Sequence, residues 1–138
     1  MSQAKYLLLH GAIILLAGLL CGIPLGGAIV SGSPDGSIRA WRVAHSGLSM
    51  GAVLLVAVAG VVSLVELSPM WTWVLVWSFV ASGYGFAIAL PLGAHFGHRG
   101  LTTAPPPLNR VIYLGNMVGV LGSLLGTVLL VLGACSAL

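Results

Sequence analysis

Charged side chains are scarce in this sequence, which has five Lys and Arg and two Asp and Glu among 138 residues. Soluble domains carry about 25% charged residues, whereas this chain has 5% and is 59% hydrophobic. So few charges exclude a globule exposed to water. The basic residues are also too scattered to follow a phosphate backbone. We therefore expect an integral membrane protein that contacts the lipid bilayer and has no nucleic-acid partner.

Cysteine is equally scarce, with Cys21 in the first apolar segment and Cys135 near the end of the last. These positions are too far apart along the membrane normal for a disulfide within one subunit. The sequence also lacks the C-x-x-C-H motif, which excludes a covalently attached haem of the c type.

Long apolar segments make up most of the sequence. A transmembrane helix needs about 20 apolar residues, so the chain accommodates four helices in one antiparallel bundle and no extramembrane domain. Pro24 is expected to kink the first helix and Pro91 to disrupt the last turn of the third. The predicted helices cover residues 6–30, 41–67, 70–93 and 110–133.

The distribution of arginines predicts the orientation of the bundle. Four spans put both termini on one side and the two longer loops, residues 31–40 and 94–109, on the other. Lys5 lies on the terminal side. Under the positive-inside rule, the loops are expected in the cytoplasm, with the protein in the inner (plasma) membrane of a bacterium. The basic residues on the loop side are Arg39, Arg42, Arg99 and Arg110.

Glycines recur at helical spacing in the first and last spans, and such smooth faces let helices approach closely. For the last span, the pattern leaves open whether the stripe packs within the subunit or forms a seam between subunits. The first-span glycines are Gly11, Gly18, Gly22 and Gly26, and the last-span glycines are Gly115, Gly119, Gly122 and Gly126.

His45 lies in the segment W-R-V-A-H-S-G-L-S-M, residues 41–50, about one turn inside the membrane. An ionisable side chain there is by default a functional-site hypothesis, and a neutral imidazole is a common ligand for haem iron. The alternative is a structural histidine bonded to a carbonyl group. The arginines at headgroup level and the small residues beside the imidazole favour a haem ligand over this alternative. The other predicted cofactor-binding residues are Arg39, Arg42, Trp41, Ser46 and Gly47.

The other three histidines differ in their expected distance from His45. With a rise of 1.5 Å per residue and an apolar core roughly 30 Å thick, His10 should lie on the order of 20 Å from His45. The two therefore cannot both ligate one haem within a subunit. His95 and His98 are predicted in the loop on the same side as His45, as interfacial polar residues or as a metal-binding pair.

Several motifs together resemble the styrene oxide isomerase family of small four-helix membrane proteins. The W-R-V-A-H-S-G segment resembles the part of the family that carries its haem-ligating histidine. The order and spacing of the motifs are more specific than any one of them. The matching motifs are L-H-G at residues 9–11, G-S-P-D-G at 32–36, W-R-V-A-H-S-G at 41–47 and H-R-G-L at 98–101.

The resemblance implies a haem b near a subunit interface of a homotrimer, with His45 as its ligand. It also implies a Lewis-acid isomerisation of an aryl epoxide such as styrene oxide. The epoxide opens to a benzylic cation, a 1,2-hydride shift follows, and an aryl acetaldehyde leaves without net redox change. A dry membrane interior suits a cationic intermediate because it excludes nucleophilic water.

The chain departs from the family pattern at two positions. The family has an asparagine about two turns after the ligand histidine, a position that falls on or near Gly51 here, and a tyrosine on the third helix, near Ala87 or Leu90 here. Tyr84 and Asn116 are the polar mid-span residues that we consider as catalytic substitutes or as helix-bridging hydrogen-bonders. The alternative function is a non-enzymatic membrane haem b protein for electron transfer, gas sensing or haem handling.

Overall fold

The structure, a computed structural model, describes residues 2–137, which contain five α-helices and no β-strand. The first span is divided into α1 and α2, and a short 3₁₀ turn, Val62–Leu64, extends α3. The four spans are each long and apolar enough to cross a membrane, which confirms the all-α, four-span prediction. The helices are α1 (Gln3–Leu20), α2 (Gly22–Val30), α3 (Asp35–Val61), α4 (Pro69–Phe96) and α5 (Pro107–Ser136).

The first span is interrupted at Cys21, between α1 and α2. Pro24 has no N–H, so it cannot bond to the carbonyl of Leu20 four residues earlier. The break therefore falls where the proline removes the helical hydrogen bond.

Helix α3 begins at Asp35, six residues before the predicted start at Trp41. Asp35 occupies its first turn, where a negative charge is favoured by the helix dipole. Arg39 and Arg42 consequently lie on a regular helix, whereas the sequence had placed Arg39 in a loop.

Helix α4 continues through Pro91 and ends at Phe96, beyond the predicted end at residue 93. The following Gly97 has a φ of 72°, and its N–H bonds to the Gly93 carbonyl. Glycine tolerates this left-handed conformation and commonly ends helices. His95 therefore lies in the last helical turn and not in the loop where it was predicted.

Helix α5 begins at Pro107, three residues before the predicted start at Arg110. Proline is favoured in the first turn of a helix because the N–H it lacks would have had no helical partner. The connection between α4 and α5 is correspondingly shorter than predicted.

Two closely packed helix pairs form the bundle, α1 with α3 and α4 with α5, and contacts between α3 and α4 join them. Large apolar side chains fill the interior, while many others face outward, as expected for a bundle surrounded by lipid. Among the fully buried side chains are Leu7, Ile14, Leu48, Leu75 and Phe79.

The glycine stripe of α5 packs within the subunit. A Cβ built at Gly119 would lie 2.6 Å from the Phe86 ring, and one at Gly122 would lie 2.6 Å from the Ser78 carbonyl oxygen. The contacting residues belong to α4. Of the two alternatives left open by the sequence, the structure therefore shows packing of α5 against α4.

This close approach predicts a large effect of Gly85→Ala. The new Cβ would lie 2.6 Å from the carbonyl oxygen of Gly115 and 2.9 Å from the backbone nitrogen of Gly119, and neither atom can move aside alone. Overpacking of this kind costs about 1–3 kcal/mol. We expect that loss in the free energy of unfolding, measured in mixed detergent micelles.

The matched control is Gly60→Ala, because a Cβ there would have no atom within 4 Å. Alanine is a better helix former than glycine, so this variant should be unchanged or slightly stabilised. Equal unfolding free energies for the two variants would contradict the tight contact between α4 and α5.

Candidate functional site

The imidazole of His45 is held by α1. Its Nδ1 lies 2.9 Å from the carbonyl oxygen of Gly18. A carbonyl oxygen only accepts hydrogen bonds, so Nδ1 carries the proton and donates it. The lone pair of the neutral ring is then on Nε2. Backbone carbonyls commonly orient metal-binding histidines in this way.

The two possible roles of His45, structural histidine and metal ligand, differ in what its second ring nitrogen, Nε2, contacts. Within residues 2–137, Nε2 of His45 has no hydrogen-bond partner and is not among the fully buried polar atoms. The bond to Gly18 is what the structural alternative predicts, but it uses one nitrogen. The other is accessible and is free to bind a metal.

Glycines of the first span form the surface beside this imidazole. A Cβ built at Gly22 would lie 3.3 Å from both Cε1 and Nδ1 of His45, while one at Gly18 would lie 2.8 Å from the backbone nitrogen of Ser49. A Cβ at Gly26 would meet nothing within 4 Å. The close approach of the two spans therefore depends on Gly18, and the low surface beside the ring is supplied by Gly22.

Sequence reasoning did not assign Gly18 and Gly22 to the site. The signal that could have found them is the four-residue spacing of Gly18, Gly22 and Gly26, which places all three on one side of the first span. What the spacing does not show is that this side faces His45.

Three predicted cofactor-binding residues lie near His45 along α3. Trp41 is one turn before it and packs against the core. Arg42, three residues before it, is exposed on the neighbouring surface. Ser46 is also exposed, and its hydroxyl donates to the carbonyl of Arg42 at 2.7 Å.

Gly47 and Arg39 face other parts of the molecule. A Cβ at Gly47 would lie 3.6 Å from Cδ1 of Leu90, so this glycine faces α4. Arg39 lines a cleft on the loop side whose lining does not include His45. Within one subunit, the structure does not bring either residue to the imidazole.

The loop-side cleft also contains the histidines that had been considered as partners of His45. His95 and His98 line it with Arg99 and Asn116. Among residues 2–137, no group of three or more His, Cys, Asp or Glu side chains is placed to hold a metal ion. A haem iron differs from such a site because one axial histidine suffices.

Asn116 attaches α5 to the loop that follows α4. Its Nδ2 lies 3.3 Å from the carbonyl oxygens of both Arg99 and Gly100, and the residue also lines the cleft. The structure thus combines the two roles considered from the sequence, a bridging hydrogen bond and a position at a pocket.

Tyr84 is paired with His10 and not with His45. Its hydroxyl lies 2.9 Å from Nδ1 of His10, and the rings of Tyr6 and Trp77 pack around the imidazole. The contact joins α1 to α4, which is the helix-bridging role considered from the sequence.

Tyr84→Phe should therefore affect stability more than chemistry. Side-chain hydrogen bonds between membrane helices contribute about 0.6 kcal/mol on average, with a maximum near 1.7, and the free energy of unfolding should fall by an amount in that range. Tyr113→Phe is the control, because Tyr113 makes no side-chain hydrogen bond within residues 2–137. A loss of turnover at unchanged stability would instead place Tyr84 at the substrate.

Gly51, Ala87 and Leu90, near which the resemblance implies an asparagine and a tyrosine, carry no polar side chain. A Cβ at Gly51 would meet nothing within 4 Å, so there is space beside it. The nearby polar group that sequence reasoning missed is Ser49, one turn after His45. Its hydroxyl is buried and has no hydrogen-bond partner within residues 2–137.

The match to known proteins extends over the whole bundle. The family model described as styrene oxide isomerase matches residues 3–135, from the start of α1 to the last turn of α5. No curated protein sequence matches this chain. On the family match, this chain belongs to the styrene oxide isomerase family.

Proposed function

We propose that this protein is a haem b-dependent membrane isomerase that converts an apolar aryl epoxide of the styrene oxide type into an aldehyde. The observation that carries the proposal is the orientation of His45, whose Nδ1 is bonded to Gly18 while Nε2 is free. Membership of the isomerase family supports the reaction class.

The residues around His45 fit the proposed cofactor. Nε2 would hold the iron, Gly22 leaves the ring uncovered by a side chain, and Arg42 lies on the neighbouring surface, where it would pair with a propionate. Arginine is well suited to bidentate contacts with carboxylates. When bound, haem b supplies a Lewis acid for the epoxide oxygen.

The chain contributes an apolar surface around this ligand. Ile23, Met50 and Val53 are 71%, 74% and 58% exposed on α2 and α3, and in a bilayer such side chains face lipid or another subunit. An apolar epoxide partitions into the same region. Water is scarce there, so a cationic carbon is protected from hydrolysis to a diol.

The reaction is balanced without another reactant, because the epoxide and the aldehyde are isomers. The benzylic C–O bond breaks, a hydride moves from the adjacent carbon to the benzylic carbon, and the remaining C–O bond becomes the carbonyl. The protein therefore has to orient the epoxide and exclude water, and it does not need a redox partner.

Assembly and orientation are further parts of the proposal. The family resemblance supports a homotrimer. The excess of arginine on the side of the 31–34 and 97–106 connections supports a cytoplasmic location for these segments in a bacterial inner membrane.

The proposed activity can be tested with purified, haem-loaded protein and styrene oxide. Phenylacetaldehyde should form much faster than with an equal amount of free ferric haem in the same detergent, since the protein adds orientation and water exclusion. Rates equal to those of free haem, with both ferric and ferrous protein, would reject the activity for this substrate.

Deuterium labelling tests the hydride shift. Styrene oxide with two deuterium atoms on its terminal carbon should give an aldehyde with one deuterium on the carbonyl carbon and one on the adjacent carbon. A route through an enol would lose the second deuterium to solvent. Mass spectrometry of the product distinguishes the two routes.

A non-enzymatic haem protein is the second candidate, and the observation favouring it is the absence of a polar side chain at Gly51, Ala87 and Leu90. A six-coordinate, low-spin ferric spectrum without isomerase activity would support this alternative. An open sixth coordination position with activity would support the isomerase.

A further inference from the structure

The cleft on the loop side, away from His45, has the size and charge of a second ligand-binding site. The loop-side cleft has a volume of about 820 Å³, which is within the range of about 300–1,000 Å³ for small-molecule pockets. It opens between the beginning of α3 and the end of α4. Two arginines from different elements line it, Arg39 on α3 and Arg99 in the connection before α5.

Arg39 is not directed to the same face of α3 as His45. The two residues are six positions apart, and at 3.6 residues per turn their side chains are separated by about 120° around the helix. His45 is not among the residues lining the cleft. The guanidinium of Arg39 is thus available for a ligand other than one held by His45 of the same subunit.

The charge of the cleft favours an anion. No Asp or Glu is among its lining residues, and the carboxylate nearest in sequence is that of Asp35, one helical turn before Arg39. Gly36 also lines the cleft and lies in the first turn of α3, where backbone N–H groups have no helical acceptor and the helix dipole is positive. Backbone donors and two guanidinium groups together suit a phosphate oxygen.

The lining also contains the polar residues Ser37, His95, His98 and Asn116, and the rest of it is apolar. Val43, Leu90 and Ile112 continue the cleft along the membrane-spanning parts of α3, α4 and α5. A ligand that fills it should therefore combine an anionic head with a hydrocarbon tail. Basic pockets between transmembrane helices are known to accommodate anionic lipid headgroups.

We propose that this cleft binds an anionic phospholipid, with the phosphate group between Arg39 and Arg99 and an acyl chain along the apolar part of the cleft. The site is separate from that of His45 and does not depend on isomerase activity. Its consequence is a lipid held between α3 and the α4–α5 connection.

The test is native mass spectrometry of the full-length protein from bilayers containing equal amounts of phosphatidylglycerol and phosphatidylcholine with the same acyl chains. The wild-type protein should retain phosphatidylglycerol preferentially. Each basic residue near an anionic headgroup contributes about fivefold to binding, so R39Q combined with R99Q should weaken retention by about thirtyfold. Equal retention by this double variant would overturn the proposal.

The matched control is Arg110→Gln. Arg110 is an exposed arginine on the same side of the bundle, and its Nε donates to the Thr103 carbonyl outside the cleft. This variant should retain the lipid as the wild type does. If it lost the lipid to the same extent as the double variant, binding would reflect overall surface charge, and the proposed site would be wrong.

Two further measurements identify the source of the phosphate and exclude a role in cofactor binding. Inorganic phosphate at millimolar concentration should not displace the lipid, because it lacks the acyl chain; complete displacement would indicate a site for free anions and overturn the lipid assignment. The haem absorption of R99Q alone should equal that of the wild type, because Arg99 is not among the residues predicted to bind the cofactor. Its loss would assign the cleft to the cofactor and also overturn the proposal.

Discussion

Replacement of His45 by alanine is expected to abolish haem binding, with a wild-type Soret band that is absent from the variant. The expected loss of affinity exceeds the roughly 10–100-fold cost of removing a group that only orients a metal ligand, because this variant lacks the proposed ligand itself. The measurement is a titration of detergent-solubilised protein with haem, followed by absorbance.

His10→Asn is the matched control for this experiment. His10 also lies inside the first span, but its Nδ1 is bonded to Tyr84, and an asparagine amide can replace it in this hydrogen bond as acceptor or as donor. This variant should retain the Soret band. A band of equal intensity in the His45→Ala protein would show that the iron is held elsewhere.

Chemical rescue separates loss of the ligand from loss of the fold. In His45→Gly, the deleted imidazole leaves a space next to Gly22, and free imidazole should restore the Soret band if His45 coordinates iron. Failure of rescue in a protein with wild-type helical content would contradict direct ligation.

The number of spans and an irregularity near Pro24 could be predicted because both depend on local sequence. Hydropathy identifies segments that need an apolar environment, and proline removes a particular helical hydrogen bond. The start of α3 was missed because the turn-forming residues before Trp41 outweighed the helix-start signal of Asp35. That error placed Arg39 in a loop when it lies on a helix.

The candidate site was predicted less completely than the fold. His45 is conspicuous in the sequence because an imidazole inside hydrocarbon needs an explanation. Its neighbours depend on which helix packs against each face of α3, and sequence spacing along α3 does not determine this. Gly47 was therefore assigned to the imidazole although it faces Leu90, while Gly22 of the preceding span was overlooked.

For the glycine stripe of α5, too, sequence spacing does not determine which helix packs against it. Its spacing indicates that another helix approaches closely, but the spacing is the same for a helix of the same chain and for one of a neighbouring subunit. The atoms that meet Gly122 and Gly119 belong to α4, so the stripe is occupied within the subunit and cannot also form a seam between subunits.

Gly18→Ala is expected to weaken haem binding without altering the ligand. The added Cβ would lie 2.8 Å from the backbone nitrogen and 2.9 Å from the hydroxyl oxygen of Ser49. Because the nitrogen belongs to the α3 backbone, α1 and α3 must separate. The carbonyl of Gly18 then moves away from Nδ1 of His45, which loses the partner that fixes its tautomer and orientation.

The expected effect is a decrease of about 10–100-fold in haem affinity, as is typical when the hydrogen-bond partner of a metal-bound histidine is removed. Haem titration followed by the Soret band measures it. Gly27→Ala is the control, because a Cβ there would meet nothing within 4 Å, and its affinity should equal that of the wild type.

If Gly18→Ala affected only stability, the unfolding and haem titrations would give a different result. If the Gly18 carbonyl had no role in orienting His45, the variant would unfold more easily but would bind haem with wild-type affinity while folded. If the hydrogen bond orients the ligand, affinity falls even under conditions where both proteins are fully folded. Unfolding and haem titrations on the same samples therefore determine whether the carbonyl of Gly18 belongs to the binding site or only to the packing of α1 against α3.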